Sequence, residues 1–158
     1  MNLFLMRHGR AGDAASDTLR ELTDTGRRDV GAVARHVAAR GVTGAAVFSS
    51  PLVRARQTAD LLAVEAGCGP VTVAAELASG ASLDALLALV GRLPPKMAAT
   101  VFVGHMPDLG ELAGFLAWGE RGRVLDLAPG TIVALHLAHP DRRAPGTLEW
   151  VVAPEDVR

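Results

Sequence analysis

A short apolar run near the start of the chain ends abruptly in an arginine, a histidine and a glycine. Residues 3–6 read Leu-Phe-Leu-Met, and Arg7, His8 and Gly9 follow directly. This pattern is typical of a buried strand that carries reactive side chains to its carboxyl end. In open α/β sheets the ligand crevice lies outside the carboxyl ends of the strands, so we expect Arg7 and His8 at its edge.

Further apolar strands alternate with amphipathic helices along the chain, which predicts an α/β fold with a largely parallel sheet. The predicted strands cover about residues 3–7, 45–49, 71–74, 99–103, 131–137 and 147–152. The predicted helices cover about residues 24–40, 51–66 and 83–93, and a fourth helix opens at 106–108. We expect Thr23 or Asp24 to cap the first helix, Ser50 the second and Ser82 the third. The last two strands are joined by a turn rich in Pro, Asp, Arg and Gly and should pair antiparallel.

The length and charge of the chain limit the kinds of function it can have. Its 158 residues fit one domain spanning 1–158, and a net charge of −1 provides no global field that would attract nucleic acid or an anionic membrane. The single cysteine, Cys68, excludes an internal disulfide, and we interpret it as a small apolar residue. The first apolar run is too short for a secretory signal and no run could span a bilayer, so we expect a cytoplasmic protein.

Residues suited to binding anions follow three of the predicted strands. Arg7 and His8 follow the first strand, Arg54 lies just inside the helix after the second, and His105 follows the strand at 99–103. Arginine offers paired donors to phosphate oxygens, and histidine can either attack or donate a hydrogen bond. Each residue alone could be an ordinary structural group, but their shared location favours a phosphate site.

Several other chemistries lack their motifs in this chain. A glycine-rich nucleotide-phosphate loop ending in Lys-Ser or Lys-Thr is missing, as are His-Glu-x-x-His and paired cysteines for zinc. Asp13 and Asp17 could bind magnesium, but the neighbouring glycine and serine favour an ordinary polar loop. We therefore expect neither a metal nor another cofactor.

Three segments together resemble the signatures of the histidine phosphatase superfamily, also called the phosphoglycerate mutase-like family. They are Arg7-His8-Gly9, the SPLVRARQT segment at 50–58 and the GHMPDL segment at 104–109. Within that superfamily the chain most resembles the small bacterial phosphohistidine phosphatases of the SixA type, through residues 6–9, 14–17, 22–26 and 150–154. The resemblance implies a three-layer α/β/α sandwich with a mostly parallel central sheet, and the late antiparallel pair completes that prediction.

Applied to the matching positions, the resemblance implies specific roles. His8 would be the nucleophile that becomes transiently phosphorylated, while Arg7, Arg54 and His105 would form the phosphate pocket. We expect the pKa of His8 to be low, so that it is neutral, and that of His105 to be higher, so that it is protonated. Relatives that act on small phosphate esters use an acidic residue after the third strand, and Glu76 is the candidate here. An ordinary loop glutamate is an equally good interpretation.

The resemblance therefore predicts a metal-independent phosphatase that removes phosphate from a phosphohistidine protein through a covalent phosphohistidine intermediate. Only about 25 residues separate the third and fourth strands, so we expect an open groove that admits such a partner. One alternative is a phosphatase or mutase-like enzyme for small phosphate esters. Another is a catalytically silent module that only binds phosphate, which the intact His8 disfavours. Neither nucleic acid nor a membrane is expected as a partner.

Overall fold

A computed structural model describes residues 1–138 and 145–158 and contains a six-stranded sheet flanked by helices. The strands are β1 (Asn2–Arg7), β2 (Ala46–Ser49), β3 (Val71–Val73), β4 (Ala99–Gly104), β5 (Ile132–His136) and β6 (Thr147–Val152). The helices are α1 (Asp24–Val37), α2 (Val53–Ala66), α3 (Leu83–Gly91) and α4 (Asp108–Trp118). Most of the turn predicted between β5 and β6 falls on residues 139–144, outside the described residues.

The order of the strands places the two predicted active-site histidines side by side. The sheet runs β3-β2-β4-β1-β5-β6, with β1, β2, β3 and β4 parallel and β5 and β6 antiparallel to their neighbours. This arrangement confirms the mostly parallel sheet and the late antiparallel pair. Arg7 at the end of β1 is in register with Gly104 at the end of β4. His8 and His105 therefore leave the sheet from adjacent strands at the same level.

The helices cover both faces of the sheet, which gives the predicted three layers. Phe4 and Met6 of β1 belong to an apolar cluster with residues of α1 and α2. Leu3 and Leu5 point to the opposite face and join a cluster with residues of α3 and α4. Burial on both faces explains why the strand reads as an uninterrupted apolar run.

The helix caps agree with prediction at two helices and differ at one. Thr23 and Ser82 accept hydrogen bonds from the first turns of α1 and α3, as predicted. The prediction that Ser50 caps α2 is wrong, because that helix begins at Val53 after an extended Leu52. The Ser50 hydroxyl instead accepts a hydrogen bond from the Leu52 N–H and lies 2.8 Å from Nε2 of His105. Its position is set by the candidate site rather than by the helix terminus.

Cys68 occupies the environment expected of a structural residue. It is half-buried, and its thiol donates to the Val42 carbonyl. Burial also raises the pKa of the Cys68 thiol, which disfavours the reactive thiolate. Within residues 1–138 and 145–158, no helix combines the length and the apolar character needed to cross a membrane.

Candidate active site

His8 is held in a single tautomer by the backbone that follows it. Its Nδ1 lies 2.7 Å from the Gly9 carbonyl oxygen, which can only accept a hydrogen bond, so Nδ1 carries the proton. Nε2 is then left with its lone pair, and the Nε–H of Arg54 donates to it at 3.3 Å. The histidine is therefore buried, oriented and unprotonated at the nitrogen that can attack phosphorus.

The backbone at Gly9 is held in place by a hydrogen bond to Thr58 of α2. The Gly9 N–H donates to the Thr58 hydroxyl oxygen at 3.0 Å, and that hydroxyl donates to the Arg54 carbonyl at 2.8 Å. Thr58 is fully buried and lies one turn after Arg54. It thus connects the loop that orients His8 to the helix that carries the arginine.

Arg54 is buried, and its guanidinium contacts the loop before α1 as well as His8. Its Nη1 donates to the Asp17 carbonyl at 2.8 Å, and its Nη2 lies 3.2 Å from Oδ2 of the Asp17 carboxylate. The other carboxylate oxygen, Oδ1, pairs with Nη1 of Arg20 at 3.3 Å. These hydrogen bonds lower the pKa of Asp17. The carboxylate considered as a magnesium ligand therefore bridges two guanidinium groups.

Arg7 and His105 each contain a buried atom with no hydrogen-bond partner among the described residues. Arg7 donates from Nη1 to the Leu127 carbonyl at 2.8 Å, but its Nε has no partner. His105 contacts Ser50 through Nε2, and its Nδ1 likewise has no partner. The His8 and His105 rings lie 5.2 Å apart between centroids. Unpartnered buried polar atoms are rare, and their occurrence together is typical of a site that binds a polar ligand.

Burial lowers the pKa of both histidines in the free protein. Burial brings the pKa of His8 to about 4, and the positive charges of Arg54, Arg7 and Arg20 act in the same direction. The pKa of His105 is also lowered to about 4, first by burial and then by His8 and Arg54. The expectation that the two pKa values diverge is therefore wrong for the free protein, because both rings share one buried, cationic environment. His8 is neutral as predicted.

A cavity of about 290 Å³ connects these residues and contains two arginines that the sequence did not indicate. Its walls include Arg7, His8, Arg54 and His105, together with Arg10 and Arg20. Arg20 is fixed by hydrogen bonds to the Gly12 and Ala11 carbonyls at 2.9 and 3.4 Å. It lies before α1 in sequence, where neither spacing nor a strand end predicts a role. Only the folding back of its loop brings it to the cavity.

Glu76 lies apart from this group. It belongs to a short 3-10 turn after β3, and its carboxylate forms an ion pair with Arg92 at the end of α3. Among the described residues that line the cavity, the residue contributed by this segment is Ser79. Asp13 is exposed, and no three histidine, cysteine or acidic residues cluster as a metal site within the described part of the chain.

Comparison with known proteins finds similarity along the whole chain. Residues 3–79 match the model of the histidine phosphatase superfamily (branch 1). The chain is 31% identical over 160 residues to the phosphohistidine phosphatase SixA of Escherichia coli, covering 98% of this chain and 94% of that protein. It is 41% identical over 140 residues to an uncharacterized protein of Picosynechococcus, covering 85% and 84%.

Similarity extends to solved structures. The protein histidine phosphatase SixA in complex with tungstate superposes with a TM-score of 0.89 at 28% sequence identity, and the match covers all of both chains. Agreement over the full length of both chains extends the likeness beyond the residues 3–79 that match the family model.

Proposed function

We propose, from the premise that this chain belongs to the histidine phosphatase superfamily, that it is a metal-independent phosphohistidine phosphatase with His8 as its nucleophile. One observation carries the proposal: Nδ1 of His8 lies 2.7 Å from the Gly9 carbonyl, which assigns the single ring proton to Nδ1 and leaves the lone pair on Nε2, beside Arg54. A neutral imidazole fixed in this way can attack phosphorus without a separate base. The sequence similarity to SixA supports phosphohistidine as the substrate.

The reaction would proceed in two balanced steps. Nε2 of His8 forms a bond to phosphorus while the bond from phosphorus to the substrate imidazole breaks, and that imidazole takes a proton from the medium. Water then attacks the phosphorus of phosphorylated His8, the P–N bond breaks with its electron pair returning to Nε2, and inorganic phosphate leaves with both protons of the water. The negative charge on the equatorial oxygens would be stabilised by Arg7 and Arg54.

His105 would be neutral in the free protein and would become a protonated donor only when phosphate binds. In the free protein its low pKa keeps it uncharged. A phosphate dianion in the cavity would favour the imidazolium, since an opposite charge nearby raises the pKa of a histidine. We infer that His105 contributes most after substrate has bound, which replaces the permanently protonated donor expected from the sequence.

The position of Glu76 supports phosphohistidine over alkyl phosphates as the substrate. An alkoxide is a poor leaving group and needs a well-placed acid, whereas imidazole leaves readily. Glu76 is paired with Arg92, and the segment between β3 and β4 holds only a short turn and α3. We infer that Glu76 gives little protonation help and that the groove is open to a folded partner.

Two measurements test the proposal. Rapid quenching with labelled phosphohistidine substrate should leave acid-labile, alkali-stable phosphate on the wild type and none on His8→Ala. The value of kcat/KM should be higher for phosphohistidine proteins than for 3-phosphoglycerate. Glu76→Gln should change kcat/KM for phosphohistidine proteins no more than Glu65→Gln does. Glu65 is a matched control because it pairs with Arg35 on α1.

Two outcomes would contradict the proposal. Labelling that persists in His8→Ala would remove His8 from the nucleophile position. Faster turnover of 3-phosphoglycerate, abolished by Glu76→Gln, would favour the small-ester alternative instead.

A further inference from the structure

A second cavity adjoins the cavity of about 290 Å³ beside His8, called here the phosphate cavity, and the two share two lining residues. This side cavity has a volume of about 150 Å³, and Arg10 and Pro129 line both it and the phosphate cavity. The rest of its wall comes from Asp29 of α1, from Ala128 and from residues between 153 and 158, after β6. Arg10 and Pro129 therefore form the boundary between the two cavities.

Arg10 has a fixed backbone and an uncommitted side chain. Its carbonyl accepts hydrogen bonds from the Thr23 N–H at 2.9 Å and the Thr23 hydroxyl at 3.4 Å. A Cβ added at Gly26 would lie 2.2 Å from that carbonyl oxygen, so the backbone packs closely against α1. The exposed guanidinium, in contrast, makes no hydrogen bond or ion pair within residues 1–138 and 145–158.

The other arginines near the two cavities already have partners. Arg7, Arg20 and Arg54 donate to backbone carbonyls or to Asp17, as described above. Arg158 in the side cavity donates to both oxygens of Asp29, at 2.7 and 3.3 Å.

Glu155 also lines the side cavity, and among the described residues it forms no ion pair with Arg10. Arg10 is therefore the uncommitted cation at the junction, on the described part of the chain. The remaining wall includes Ala128, Pro129, Ala153 and Pro154, which can cover the methylene groups of a side chain.

We propose that the side cavity binds a residue flanking the phosphohistidine of the substrate, and that Arg10 selects a carboxylate side chain at that position. The inference rests on the proposed function, because it assigns the sequence context that the phosphatase prefers. An aspartate or glutamate would supply both the negative charge for the guanidinium and the short apolar stem for the alanine and proline walls.

Matched phosphohistidine peptides test this assignment. One set carries glutamate at a single position, one or two residues before or after the phosphohistidine, and the second set carries glutamine there. At the position whose side chain enters the side cavity, the wild type should favour glutamate about three- to tenfold in kcat/KM, as expected for a partly exposed charge pair. The ratio should fall to about one in Arg10→Gln, and Arg10→Glu should favour a lysine peptide over the glutamate peptide.

The matched control is Arg35→Gln, which makes the same change in charge on α1 outside both cavities and should keep the wild-type ratio. Equal rates for all peptides in the wild type, or a ratio unchanged in Arg10→Gln, would overturn the inference. Turnover of phosphoramidate without turnover of any peptide would also overturn it. Failure of phosphoramidate as well would overturn the proposed function, so the two failures are distinguishable.

Discussion

Acidification should destabilise this fold through its two buried histidines. His8 and His105 are 9% and 3% exposed, and the pKa of each is lowered to about 4. In the unfolded chain a histidine titrates near 6.5, so the unfolded state binds more protons wherever the two values differ. The stability is complete above about pH 6.5 and declines as the pH falls toward 4. At pH 5 each such histidine should lower the free energy of unfolding by about 2 kcal/mol relative to neutral pH.

Urea unfolding at pH 7.5 and at pH 5 measures this loss. In His8→Gln the titrating group is absent, so the fall in unfolding free energy between the two pH values should be smaller than in the wild type by about 2 kcal/mol. Comparison of each protein with itself at pH 7.5 removes any difference in packing caused by the substitution. His105→Gln should reduce the loss in the same direction. An identical loss in the wild type and both variants would refute the claim that these rings are buried in the neutral form.

Two further perturbations test the contacts that orient the site. Gly26→Ala should lower the free energy of unfolding by about 1–3 kcal/mol, because its Cβ would lie 2.2 Å from the Arg10 carbonyl oxygen. The control is Gly91→Ala, whose Cβ would meet nothing within 4 Å. In the same denaturation assay it should leave the free energy of unfolding unchanged or raise it by up to about 1 kcal/mol. Equal effects would contradict the close packing of α1 on the Arg10 backbone. Arg54→Lys should lower kcat/KM about 10²- to 10³-fold, since a lysine cannot contact His8, the Asp17 carbonyl and the Asp17 carboxylate together as the planar guanidinium does. Near-normal kinetics would make this geometry dispensable.

The strands and helices could be predicted from the sequence because their boundaries are chemically sharp. The run Leu3–Met6 stops at a cation, and Gly41 ends the first helical segment in the left-handed conformation that glycine adopts easily. The order of the strands could not be predicted in this way. A strand buried on both faces, such as β4, has no alternation of polar and apolar residues that would indicate its neighbours.

The cap of α2 shows why local rules fail near a functional site. Ser50 followed by proline is a favourable helix start, and nothing nearby contradicts it. The Ser50 hydroxyl is instead placed beside His105, which is 55 residues away in sequence. Local propensity was overridden by a tertiary hydrogen bond, and such exceptions are expected where a protein positions reactive groups.

The charge balance of the site could not be predicted from the sequence either. It explains how a chain of net charge −1 can hold several arginines around one cavity. Guanidinium groups in a shared, partly buried space repel one another, and burial already lowers the pKa of Arg7. The structure offsets this repulsion with Asp17, whose carboxylate contacts both Arg20 and Arg54. Carbonyl oxygens such as that of Leu127 hold further guanidinium nitrogens. These partners fix the arginines before any ligand arrives, so the guanidinium groups need not reorganise when a phosphoryl group binds. Electrostatic stabilisation is most effective under this condition.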